Sequence, residues 1–214
     1  MLSSEIAEIL LDKKAVKISI DPPFTWTSGL KSPIYCDNRK LISHLDAIEK
    51  IIQAYENLII ENNLEFHYIA GTATAGIPWA SFLAYKLEKP MVYVRSKPKG
   101  HGAGKQVEGD TDFLKGKTAL IVEDLFSTGG SSINTAEALK KELDSKIEVV
   151  LSIFTYNFQK CLENFQKARL NHYSITNFEI LLQKLVERGD FGSEQKDLIL
   201  KFSQNPEIWF DNLK

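Results

Sequence analysis

The sequence predicts an α/β fold with a doubly wound, mostly parallel sheet flanked by helices. Its 214 residues form one domain, with 1–40 as an N-terminal arm. Three observations carry that expectation. From residue 66 onward, short β-branched runs alternate with helix-period segments, the pattern of parallel strands joined by right-handed crossovers. Hydrophobic residues make up 43% of the chain, enough for a sizeable single core at this length. No internal repeat or low-complexity segment interrupts the alternation. Ligands of such sheets bind at the carboxyl ends of the strands, so the search for chemistry begins there.

Leu2, Ile6, Ile9 and Leu10 recur at helical spacing behind Ser3 or Ser4 as cap, which predicts a short amphipathic helix packing as a lid or arm. "DPPFTWTSGLKSPIYCDNR", residues 21–39, has loop chemistry yet carries Phe24, Trp26 and Tyr35. It reads either as a recognition surface or as half-buried packing. A helix follows over 44–63, then a strand at 66–71, a helix at 76–87, and strands at 90–96 and 117–125. The remainder reads as helix 131–144, strand 148–156, helix 157–170, strand 173–177 and closing helices 178–189 and 193–204. Between two strands lies "SKPKGHGAGKQVEGDTDFLKG", residues 96–116, longer than an ordinary connection. With Arg95 before it, the segment gathers Lys97, Lys99, His101 and Lys105 on a glycine-rich backbone. That combination suits a mobile cationic lid over an anionic substrate, the alternative being a solvated excursion.

Charge sets limits on partners. Lys and Arg number 26 against 28 Asp and Glu, so no global field points to nucleic acid or an anionic membrane, and phosphate binding must be local. The expected partners are therefore small molecules. Cys36 and Cys161 lie far apart and outside metal-ligand spacing, which suits ordinary thiols in a reducing compartment. The opening residues carry Glu5 and Glu8 through their apolar positions, unlike a signal peptide, and no run approaches a transmembrane span. A cytoplasmic protein is expected.

The chemistry concentrates in "ALIVEDLFSTGGSS", residues 119–132: a strand, the acids Glu123 and Asp124, then Ser127, Thr128, Gly129, Gly130 and Ser131 at the head of a helix. Amides at a helix start converge on an anion, glycines allow close approach, and the hydroxyls add donors. A carboxylate beside a bare phosphate is repulsive, so the acids should face ribose hydroxyls, with Mg2+ neutralising the assembly. The alternative is a pair of acids that only cap the turn. A Walker A loop is excluded because "KGHGAGKQ" has Lys99 and Gln106 where Gly and Ser or Thr are required. No G-x-G-x-x-G turn follows the first strand either. "GTATAG", Gly71 to Gly76, still joins a strand to a helix and is a second candidate anion loop, as a substrate with two separated phosphate groups would need.

Across "LIVEDLFSTGGSS" the chain resembles the type I phosphoribosyltransferases, whose signature binds 5-phosphoribosyl 1-diphosphate. "FTWTSGLKSPIYCDNR" and "YVRSKPKGHGAGKQVEG" are similar to the members of that family that use orotate. The resemblance implies that fold, with residues 1–40 as a hood over the base. It also implies transfer of the phosphoribosyl group to orotate in pyrimidine synthesis, Mg2+ as cofactor, and a homodimer whose lid loop serves the neighbouring subunit. It further implies that Glu123 and Asp124 hold the ribose and that Leu125 and Phe126 lie within the donor motif. Ser127, Thr128, Gly129, Gly130 and Ser131 would cradle the 5-phosphate, and 71–76 the pyrophosphate. Arg95, Lys99 and His101 would cover the pyrophosphate, with Lys99, His101 and the acid pair as the catalytic candidates. Thr27, Ser28, Gly29, Lys31 and Tyr35 would lie over the orotate ring, which Ser127 would also touch. No protein side chains are assigned as a metal-ligand set.

Departures from the best-known enteric form bear on the base. Thr27, Ala75 and Ser96 stand where it has lysines, and Tyr156 stands near its orotate-facing arginine. The orotate carboxylate must then find another partner, Arg39 or main-chain amides of the Thr27 turn. Two alternatives share the donor motif: a purine phosphoribosyltransferase, and a non-catalytic regulator that senses the phosphoribosyl compound and binds nucleic acid. The hood segment argues against the first, and near-neutral charge without a basic arm against the second.

Overall fold

The computed structural model describes residues 2–26, 28–98 and 104–211. Thr27, Lys99 and His101 lie outside them. In chain order the elements are α1 (Leu2–Asp12), β1 (Val16–Ile18), β2 (Phe24–Thr25), β3 (Lys31–Ser32) and β4 (Ile34–Cys36), followed by a 3-10 turn, Asn38–Ser43. Next come α2 (Leu45–Glu61), β5 (Tyr68–Thr72), α3 (Gly76–Lys86), β6 (Met91–Val94), β7 (Val107–Glu108), β8 (Thr118–Val122) and β9 (Leu125–Phe126). The chain closes with α4 (Gly130–Leu143), β10 (Lys146–Thr155), α5 (Gln159–Ala168), β11 (His172–Asn177), α6 (Phe178–Glu187) and α7 (Ser193–Gln204).

The main sheet has the order β11-β10-β8-β5-β6-β7, and β9 pairs with β10 beyond the end of β8. Every pairing in it is parallel except that of β7 with β6. The two central strands, β5 and β8, are buried along nearly their whole length, which is why their sequences read as continuous apolar runs. Their carboxyl ends, side by side, define the site.

Two expectations change. The strand expected over 117–125 stops at Val122, and the chain then leaves the ladder for two residues before β9 resumes beside Phe154 and Thr155. The first helix is not a lid. Ile6, Ala7 and Leu10 are fully buried, α1 packs on α6 and β11, and Arg188 bonds Glu8 and Asp12 at 3.0 and 2.8 Å. An apolar helical stripe has to be covered, and the C-terminal elements supply the cover.

The hood is therefore β1 to β4: β1 pairs antiparallel with β4, and β2 with β3. Trp26 anchors it. Its ring lies 5.1 Å from that of Tyr156 and edge-on to Phe202 at 5.8 Å, while its indole Nε1 donates to the Ile34 carbonyl at 3.1 Å. Of the two readings of the aromatic loop, packing holds for Trp26, whereas Tyr35 stays exposed at 42%.

Candidate active site

Glu123 and Asp124 occupy the break between β8 and β9, where side chains are released from the alternation of a strand. Their backbone is held from two sides. Asn38 Nδ2 donates to the Asp124 carbonyl at 2.7 Å, and the buried Tyr55 hydroxyl to the Glu123 carbonyl at 3.3 Å. Glu123 is only 5% exposed, and its carboxylate turns toward the start of α4. There it accepts from the Ser131 hydroxyl at 2.7 Å, the Ser132 hydroxyl at 3.4 Å and the Asp124 amide at 3.2 Å. Burial first, then the charge of Asp124, pushes the Glu123 carboxyl up to about 8. Asp124 is half-buried and also raised by burial, with the Arg39 guanidinium drawing it back. Burial and the neighbouring charge disfavour ionisation of both acids together, and an added positive charge beside them would favour it.

The turn into α4 is shaped for an anion. Gly129 takes φ +76, and a Cβ there would meet the Phe165 ring at 2.8 Å, so only glycine fits both the backbone and the neighbour. Phe165 is itself stacked on His172 at 4.2 Å, with Phe126 edge-on at 5.0 Å. The first amide to bond back is that of Ile133, to the Gly129 carbonyl at 3.0 Å, which leaves the first-turn amides free for a ligand. Asn164 Nδ2 steadies the loop through the Thr128 carbonyl at 2.9 Å. Within the expected phosphate set, the Ser131 hydroxyl is occupied by Glu123. Phe126 offers no side chain to a ligand, because its ring is 1% exposed in the core.

The second loop, 72–76, arrives from the next strand. A Cβ at Gly76 would meet the Val122 carbonyl oxygen at 2.5 Å and Glu123 Cα at 3.2 Å, while one at Gly71 would meet Ala80 Cβ at 2.9 Å. The sequence reads these glycines as an anion loop. The structure gives them a prior task, letting α3 lie directly on β5 and on the end of β8. That contact sets the loop against the acid pair.

A cleft of about 1310 Å³ opens between the hood and the end of the sheet. It unites Ser28, Gly29 and Tyr35 of the hood with Leu125, Ser127 and Thr128 of the donor motif. Lys31 does not line it; its Nζ donates to Thr25 Oγ1 at 2.7 Å. Tyr156 lies on the wall, but it is 2% exposed and stacked on Phe158 at 5.2 Å, so it contributes an apolar surface. Arg39 is not on the wall and is paired with Asp37 at 2.6 Å. Among the described residues, Lys160 at the start of α5 is the one cation lining the cleft. Residues 204–207, after α7, close its far side. Asn38, Tyr55, Lys160 and Asn164 escaped sequence reasoning because each acts across a distance in chain that no local pattern marks.

Arg95 follows β6 directly and lies 3.7 Å from Glu108 of β7. Its amide donates to the Gln106 carbonyl at 3.0 Å, so the 95–106 connection leaves and rejoins the sheet as one antiparallel ladder, two strands from the acid pair. Lys99 and His101 belong to the part of this connection outside the described residues.

The Phosphoribosyl transferase domain family model matches residues 39–163. Orotate phosphoribosyltransferase of Oceanobacillus iheyensis is 46% identical over 204 residues, covering 95% of this chain and 100% of that protein. The protein of the same name from Coxiella burnetii is 42% identical over 207 residues, 97% of this chain and 98% of that one. The crystal structure of orotate phosphoribosyltransferase from Aeropyrum pernix superposes with a TM-score of 0.75 at 28% identity, covering 87% of this chain and 99% of that one. At these identities over nearly the whole of both chains, the chain belongs to the orotate phosphoribosyltransferase family.

Proposed function

We propose that the chain transfers the phosphoribosyl group of 5-phosphoribosyl 1-diphosphate to N1 of orotate. The bond from ribose C1 to the pyrophosphate oxygen breaks, the C1–N1 bond forms, and the products are orotidine 5'-monophosphate and pyrophosphate. The observation that carries this reading is the cleft itself, where the hood turn at Ser28 and Gly29 faces Ser127 and Thr128 of the phosphate loop. A base held by the first and a sugar phosphate held by the second meet at the ribose.

In this reading Ser127 to Gly130 and the first-turn amides of α4 hold the 5-phosphate, and Glu123 and Asp124 take the ribose hydroxyls. The Ser131 hydroxyl now bonded to Glu123 is the link between these two tasks. The 71–76 loop, with Arg95, Lys99 and His101, receives the pyrophosphate and the charge that grows on it as it leaves. His101 acts as acid or as hydrogen-bond donor. Positioning two reactants in one cleft supplies much of the remaining barrier reduction.

Glu123 and Asp124 are the hard oxygen donors that Mg2+ takes. No group of three or more His, Cys, Asp or Glu side chains gathers among the described residues, so the ion fits this site mainly as a companion of the donor's own oxygens. When bound it neutralises the negative charge that the donor brings beside the acid pair. Lys160 is assigned to the orotate carboxylate, because Arg39 is paired and Tyr156 is buried. A homodimer sharing the lid loop rests on the resemblance, and a cytoplasmic setting on the two widely spaced cysteines and the charged opening residues of the sequence. No helix among the described residues is long and apolar enough to cross a membrane.

The test mixes the protein with 5-phosphoribosyl 1-diphosphate, Mg2+ and orotate, adenine or hypoxanthine in turn. Orotate alone should be consumed. Consumption of a purine base would overturn the assignment of the base, and no turnover with any base would favour a non-catalytic sensor.

A further inference from the structure

Glu142 lies in the last turn of α4, where a carboxylate opposes the helix dipole and where Lys140 and Lys141 are the expected residues. Its position is explained by what it holds. One oxygen accepts from the Gln106 amide at 2.8 Å and the other from the Val107 amide at 3.2 Å, across 36 and 35 residues of chain. These are the amides at which the 95–106 connection returns to the sheet, on β7, an edge strand of two residues paired only through β6. A two-residue edge strand has little hold of its own, and charge-assisted bonds to two successive amides are the strongest local means of fixing it.

The return point is in turn tied to Arg95. The Arg95 amide donates to the Gln106 carbonyl at 3.0 Å, and Gln106 Nε2 donates to the Arg95 carbonyl at 3.0 Å. Glu142 therefore fixes both ends of the connection. It does so from the same helix that begins at the phosphate loop. Fourteen helical residues span about 21 Å, and an α-helix is stiff over that length.

We infer that Glu142 is a positioning residue for the donor. By clamping the Gln106 and Val107 amides to the far end of α4, it sets Arg95 and the described ends of the connection at a fixed distance from the 5-phosphate loop. The inference rests on the reading that this connection serves the pyrophosphate end of the donor.

Glu142→Ala and Glu142→Gln in the full-length protein test it by two readouts. The first is hydrogen exchange at the Gln106 and Val107 amides, and the second is steady-state kinetics with each substrate varied. Glu142→Ala should speed exchange at those two amides at least tenfold. It should also lower kcat/KM for 5-phosphoribosyl 1-diphosphate about tenfold, with KM for orotate within twofold of the parent. Glu142→Gln keeps one acceptor oxygen and should fall between parent and alanine. It carries the test if the alanine variant does not fold. Faster exchange with unchanged donor kinetics means a merely structural bond and overturns the inference, as does unchanged exchange. Equal losses for both substrates, tracking a fall in Tm, mean general loosening and overturn it too. If the parent consumes no orotate, the reading of the base fails by itself. The clamp is then judged by exchange and by calorimetric binding of 5-phosphoribosyl 1-diphosphate.

Discussion

The donor half and the base half of the cleft are built in opposite ways. The motif at the centre of the donor half is one continuous stretch, Val122 to Ser132, folded as a strand end, a turn and a helix start, with the 71–76 loop packed against it. It offers backbone amides, glycines, the buried Glu123 and the half-buried Asp124. The base half is assembled from the hood, the start of α5 and the residues after α7, and its lining mixes the rings of Trp26, Tyr35, Tyr156 and Phe158 with polar side chains such as Gln159, Lys160, Gln204 and Asn205. An anion loop needs consecutive amides pointing one way, which only contiguous residues provide. A flat ring needs opposed walls, and these come from distant parts of a chain. The donor half should therefore be rigid and intolerant of substitution, and the base half tolerant and adjustable.

The sharpest way to break that contrast is Gly76→Ala. Its Cβ would sit 2.5 Å from the Val122 carbonyl, a backbone atom that cannot move without carrying Glu123 with it. A loss of about 3 kcal/mol in stability is expected, the upper end of overpacking. Loss of kcat/KM for the donor should reach about a hundredfold, close to 3 kcal/mol in the barrier. Urea denaturation and steady-state kinetics check both, and a fully active, stable variant would show the contact to be dispensable.

A second test exploits the acids. The folded Glu123 carboxyl stands at about 8, above its ordinary 4.5, so the fold binds a proton that the unfolded chain has released. The stabilisation is complete below about pH 4.5 and is lost as pH rises through 8. Unliganded protein should therefore lose up to about 4 kcal/mol between pH 5 and pH 9, and Glu123→Gln, which removes the buried charge, should flatten that slope. Equal slopes in denaturation curves of parent and variant would place the strain elsewhere.

The smallest effect belongs to the base half. Lys160→Ala should raise KM for orotate about tenfold, near 1.4 kcal/mol, while KM for 5-phosphoribosyl 1-diphosphate and the Tm stay put. An unchanged orotate KM would return the carboxylate to the amides of the turn around Ser28.

The helices and the strands of the main sheet other than β7 were legible from period and composition, and the donor motif from its run of acids, hydroxyls and glycines, because these are local patterns; β1 to β4 and β7 were not, being two or three residues long within segments of loop chemistry. The burial of α1 was not legible, since the same apolar stripe serves a lid or a core helix until α6 and β11 are in place. Nor was the engagement of Ser131 with Glu123, eight residues apart, because it depends on where the strand breaks and how the chain turns into the helix.

By itself the sequence determined the order of strands and helices and the chemical type of the donor site, since amides, acids and glycines act where they stand in the chain. Only the tertiary structure decided what those glycines must avoid, which cation lines the cleft, and what Glu142 holds. The meetings of Gly129 with Phe165, of Gly76 with Val122 and of Glu142 with Gln106 and Val107 join positions 35 or more residues apart and are fixed by packing, not by any local preference.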